Sequence, residues 1–99
     1  MWTGTLACDV LLGDVHSLKE KRSVVRPIVA ELSRRFAVCS AEVGHLGLHR
    51  RGRIGVAVVA ADAGHCIEVL DACERLVAGR PELELLSACR QLYGEDDHD

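Results

Sequence analysis

An α+β fold is predicted for this 99-residue chain by three features of its sequence. A period-two apolar pattern opens it. Two later stretches carry apolar residues at steps of three and four. Each of those stretches is flanked by segments of strand character. The order reads strand, helix, strand, strand, helix, strand. Two right-handed β-α-β crossovers then give a ferredoxin-like βαββαβ sandwich, with two helices on one face of a four-stranded antiparallel sheet. A chain of this length makes one domain, 1–93, followed by an acidic tail, 94–99, that is expected to fray.

The first strand is read from Trp2 to Leu12. Gly4, Leu6, Cys8, Val10 and Leu12 share one parity, and Thr3, Thr5 and Asp9 the other, as a half-buried strand requires. Gly13-Asp14 ends it. Ser17-Leu18-Lys19-Glu20 is a capping box: the Ser17 hydroxyl accepts from the Glu20 amide, and the Glu20 carboxylate reaches back to the Ser17 amide. Leu18, Val25, Ile28, Val29, Leu32 and Phe36 then form the apolar stripe of a helix of about five turns. Pro27 lies within it and predicts a kink. Lys19, Arg22, Arg26 and Arg34 fall on the opposite face, toward water. Lys21 falls at the flank of the stripe and is expected to snorkel to solvent.

Ala37 to Val43 is short and strand-compatible. Three glycines punctuate Gly44 to Gly52, which reads as a hairpin connection. Arg53 to Ala61 is apolar on both parities, the pattern of a strand buried on both faces at the centre of a sheet. Asp62 is a suitable N-cap for the second helix, along which Cys66, Val69, Leu70, Cys73, Leu76 and Val77 recur at steps of three and four. Gly79-Arg80-Pro81 stops that helix. Leu83 to Tyr93 is the last strand. The sheet face away from the helices would carry Thr3, Thr5 and Ala7 beside Ala57, Val59 and Ala61. Left bare, this would be an exposed apolar patch, so a homodimer that covers it with a second copy is expected.

Composition narrows the function. Only Trp2, Phe36 and Tyr93 are aromatic, 3% of the chain, which leaves too few rings for a base-stacking platform. No apolar run approaches the ~18 residues of a membrane span, and no secretory signal is visible. The five cysteines, Cys8, Cys39, Cys66, Cys73 and Cys89, form no C-x-x-C pair. An odd count without a signal peptide argues for a reducing cytoplasm, and the cysteine positions on the first strand and second helix read as small buried hydrophobes.

The net charge of −3 hides a strong asymmetry. Between His16 and Arg53 nine bases face three acids, a balance of +6, while the remainder of the chain carries −9. Cations in the first turn of a helix oppose its dipole, so Lys19, Lys21 and Arg22 invite an explanation beyond capping. Either acids elsewhere in the chain pair with them, or they contact phosphate together with Arg26, His49, Arg50, Arg51 and Arg53. The amides at the Ser17 end could accept one phosphate as well. His45 and His49 have an i, i+4 spacing, but in a glycine-broken loop it defines no common face, and no metal site is expected. Walker, G-x-G-x-x-G, H-E-x-x-H and G-x-S-x-G motifs are absent. Acylphosphatase chemistry, which suits a fold of this size, needs an arginine cradle after the first strand. Gly13-Asp14-Val15-His16 offers an acid there instead. No catalytic residue and no cofactor is nominated.

Three segments resemble a known family. They are Ser17-Leu18-Lys19-Glu20-Lys21-Arg22, Arg35-Phe36-Ala37-Val38-Cys39-Ser40-Ala41-Glu42-Val43 and Ile54-Gly55-Val56-Ala57-Val58-Val59. Together they are similar to the YlxP-like family of small bacterial proteins of unknown function, over about Trp2 to Tyr93. The resemblance implies a ferredoxin-like fold and a cytoplasmic bacterial protein. It also implies a translational setting, because such proteins are often encoded beside translation-initiation and ribosome-maturation genes. Relatives commonly carry an Asp, an aromatic and a Gln in the hairpin loop, where this chain has Gly47, His49 and Arg50, a more basic set. The expectation is a non-enzymatic, translation-associated factor that docks on structured RNA or a ribosomal surface through its basic residues. The alternatives are a homo-oligomeric protein-interaction module, or a small-ligand sensor or enzyme.

Overall fold

In the computed structural model, which describes residues 1–94, the six elements follow in the expected order. They are β1 (Trp2–Leu12), α1 (Leu18–Arg35), β2 (Cys39–Gly44), β3 (Arg51–Ala60), α2 (Ala63–Ala78) and β4 (Leu83–Gly94). The strands form one sheet in the order β2-β3-β1-β4, with every neighbouring pair antiparallel. This is the ferredoxin-like α+β arrangement, with β3 and β1 central. Of the tail expected at 94–99, Gly94 belongs to β4, opposite Trp2. Residues 95–99 lie outside the described residues.

Parity decides the core. Gly4, Leu6, Cys8, Val10 and Leu12 of β1 are buried, and their neighbours are not. They meet Val25, Ile28 and Leu32 of α1, Ile54, Val56 and Val58 of β3, and Cys66, Leu70, Cys73 and Val77 of α2. Truncating a leucine in such a core costs about 2–5 kcal/mol. A methyl group added at Gly4 would come within 2.9 Å of Leu70 Cδ1 and 3.4 Å of Cys66 Cβ, so the missing side chain lets α2 lie close on β1. All five cysteines are free; Cys8, Cys66 and Cys73 are buried, whereas Cys39 and Cys89 are exposed.

Three local expectations are corrected. β3 is central but buried on one face only: its burial alternates, and Val59 is 64% exposed. Both helices pack on the same side, so among the described residues no helix covers the second apolar parity. β3 also begins at Arg51 and ends at Ala60, leaving Ala61 outside the strand, and β2 runs from Cys39 to Gly44. The capping box closes one residue early. The Glu20 amide donates to Ser17 Oγ at 3.1 Å, but the Glu20 carboxylate accepts from the His16 amide at 3.2 Å. The Asp62 cap forms as expected, with its carboxylate accepting from the His65 amide at 2.8 Å.

Candidate functional site

Helix α1 sorts its charges by face. Its inward positions are Lys21, Val25, Ile28 and Leu32, spaced four, three and four apart. Lys19, Arg22 and Arg26 are exposed on the opposite side, with Arg34 farther along. They share a face because steps of three and four return to one side of a 3.6-residue turn. Lys19, Arg22 and Arg26 border one shallow hollow with Ser23 and Pro27. Arg22 and Arg26 border a second hollow with Ser33 and Glu42, where α1 meets the β2 edge. Among the described residues, none of these four bases is paired with a carboxylate.

Lys21 does not snorkel. It is 1% exposed, and its Nζ lies 2.6 Å from the His45 carbonyl oxygen and 2.7 Å from Glu42 Oε2. Buried lysines need such a partner, because an uncompensated charge in the interior is expensive. Glu42 supplies it from the helix-facing parity of β2. The hairpin loop is thereby tied to the first turn of α1. His45, at φ 57°, is a non-glycine residue in the left-handed region, and its carbonyl also accepts from the Leu48 amide at 3.0 Å. Two donors on one carbonyl hold that conformation in place.

The remaining bases are divided among other surroundings. Arg50 Nε donates to the carbonyls of Leu12 and Gly13, at 3.2 and 3.0 Å, and so pins the end of β1. Arg51 and Arg53 stand opposite Leu11 and Asp9, on the sheet face away from the helices. Arg53 lies 3.5 Å from Asp9 Oδ2, which also accepts from the Ser87 hydroxyl at 3.2 Å. His45 Nε2 is 3.7 Å from the other Asp9 oxygen. His49 is exposed in the hairpin loop, as is Gly47. Of the eight bases expected to share a phosphate site, three therefore form a common outward surface on α1. Lys21 is interior, Arg50 is bound to backbone, and Arg51 and Arg53 belong to the opposite layer. The start of α1, whose amides could accept a phosphate, carries its own anion, the Glu20 carboxylate, on the His16 amide.

Sequence reasoning overlooked two groupings. Lys21 shares the spacing of Val25, Ile28 and Leu32, and Glu42 shares the inward parity of Ser40, so a buried pair was legible. Asp9 could be placed on the open face by parity, but its neighbours Ser87 and His45 come from 78 residues and one loop away. Elsewhere, Arg80 bridges to Glu31, and that hydrogen bond holds the Glu31 carboxyl below its usual range, with Arg35 adding to the effect. Burial pushes the Cys8 thiol up to about 11, with the Glu74 carboxylate contributing, and burial raises Cys73 too. Among the described residues no three His, Cys, Asp or Glu side chains gather to hold a metal ion, and no helix is long and apolar enough to cross a membrane.

Fold and site together define a small α+β domain with a basic helix face and an uncovered sheet face. The comparisons with known proteins agree with the resemblance. Residues 3–90 match the family described as Protein of unknown function (DUF503), and the chain belongs to that family. It is 28% identical over 81 residues to the uncharacterized protein YlxP of Bacillus subtilis (strain 168), covering 82% of this chain and 88% of that protein.

Proposed function

We propose that this protein is a non-enzymatic binding factor that docks on structured RNA, as on a ribosomal surface, through phosphate contacts made by α1. The observation that carries this reading is the exposed trio Lys19, Arg22 and Arg26, which shares one face of α1 and has no carboxylate partner among the described residues. The trio spans about 10 Å of helix axis at ~1.5 Å per residue, a length over which a nucleic-acid strand presents more than one phosphate. None of the three aromatic residues lies on this face, so contacts would position the partner and read little sequence. The Arg50, Arg51 and Arg53 side chains serve the protein's own backbone and open face, so the proposed surface is narrower than the basic segment.

The magnitude follows from counterion release. Three phosphates neutralised give a salt slope of about −2.7, or a fall in affinity of roughly 40-fold between 50 and 200 mM salt. Binding to a structured RNA hairpin and to ribosomal subunits is measured across that range. Charge reversal at Lys19, Arg22 and Arg26 together is expected to abolish binding. Absence of binding at 50 mM salt, or binding untouched by the triple reversal, rejects the proposal. Capture of a protein partner that survives nuclease treatment would replace RNA by an acidic protein.

A further inference from the structure

The outward face of the sheet is a second exposed surface, on the side opposite α1. From Thr3 to Ala7 on β1, and at every position paired with Thr3, Thr5 and Ala7 across the other three strands, no residue is charged. An antiparallel face left to water normally alternates to polar and charged side chains. Here Val43 and Val59, 55% and 64% exposed, stand beside a hollow of about 360 Å³ lined by Thr5, Ala7, Ala41, Gly55 and Ala57. Where charge resumes, Asp9 faces Arg53 within one chain, and Arg51 and Glu84 stand farther out, on either side of Leu11.

We infer that this face is the contact between two copies of this chain, packed sheet to sheet about a two-fold axis. A two-fold contact brings residues near the axis against their own images, so any charge there meets its like. A patch with an uncharged centre, its charges of both signs kept to the margin, suits that symmetry. It gives nothing to a phosphate backbone or to an acidic partner. The relief is also self-complementary in kind: protruding valines and a small-residue hollow lie on the same surface. Size agrees as well. The five residues from Thr3 to Ala7 at ~3.4 Å and four strands at ~4.8 Å cover roughly 330 Å² in outline, which the margin out to Leu11 extends to roughly 600 Å², and more as accessible surface. A stable interface needs about 800 Å² from each partner.

The test is the mass in solution. Sedimentation of the full chain at micromolar concentration is expected to give twice 10.8 kDa. Ala57→Glu places a carboxylate at the exposed centre of the patch. It should raise the dissociation constant by about 100-fold or more, with an unchanged circular dichroism spectrum. Glu68→Lys, on the exposed side of α2, should leave the mass unchanged. Should Ala57→Glu fail to fold, Val59→Lys serves the same purpose. A thiol readout needs no variant: Cys39, on the same face as Ala57, should be alkylated more slowly as protein concentration rises. A single-chain mass at 100 µM, a folded Ala57→Glu protein that stays two-chain, or Cys39 alkylation independent of concentration would each overturn the inference.

Discussion

Replacing Lys21 by methionine isolates the contribution of one buried charge. Methionine keeps an unbranched stem of similar volume, so packing among Val25, Ile28 and Leu32 is largely retained. Two interactions disappear: the hydrogen bond to the His45 carbonyl at 2.6 Å and the ion pair with Glu42 at 2.7 Å. A hydrogen bond from a charged donor contributes about 1.5–3 kcal/mol. Removing one partner of a fully buried pair costs about 3–5 kcal/mol. Glu42 is 19% exposed and can recruit water, which lowers that figure. The expected loss is about 2–4 kcal/mol, or roughly 8–16 °C in Tm for a domain of this size. Urea denaturation of wild type, Lys21→Met, Glu42→Leu and the double variant gives the coupling directly. The double variant should recover at least half of the single-variant loss, since neither charge then remains unpaired. Faster amide exchange at Leu48, which donates to the same His45 carbonyl, should accompany the single change. A Lys21→Met protein within 0.5 kcal/mol of wild type would refute the claim that this lysine organises the loop.

Two pH dependences follow from the ionisable groups. The Cys8 thiol is held near 11 against an ordinary value of 9.0. The folded state therefore keeps a proton that the unfolded chain has lost, and stability should be complete below pH 9 and fall by about 2–3 kcal/mol as pH rises to 11. An alkaline decline of equal size in Cys8→Ala would contradict that assignment. Glu31 shifts the other way: its carboxyl is lowered by Arg80, so its contribution is present above pH 4.5 and is lost as pH falls through the depressed folded value. In Arg80→Ala the Glu31 titration followed by NMR should move back toward 4.5, and an unmoved titration would show that Arg80 is not the cause.

Much of this architecture was readable from periodicity. The even parity of β1, the Asp62 cap and the steps of α2 are local signals, and local signals suffice where a single element decides its own burial. The harder cases needed a second element. β3 reads as buried on both faces because apolar composition reports what a surface prefers, not what covers it. The Glu20 carboxylate selects the His16 amide over that of Ser17, a choice between adjacent donors that a motif does not resolve. The +6 segment counts charges without assigning them to layers: strand alternation sends Arg51 and Arg53 to one side of the sheet, while helical spacing sends Lys19, Arg22 and Arg26 to the other. Lys21 was misjudged because residue type outweighed its position, which is that of a core residue.

Gly47 in the hairpin loop offers a practical handle. Among the described residues, no atom beyond its two chain neighbours lies within 4 Å of where a side chain there would begin, and the anchoring at His45 keeps the loop near the start of α1. A reporter group attached at this position would leave the interior undisturbed and would sit beside the proposed docking helix. Because the loop has its own tether, a dye placed there would follow the rigid body of the domain, and its depolarisation would register arrival of a large partner without altering the contacts that make the complex.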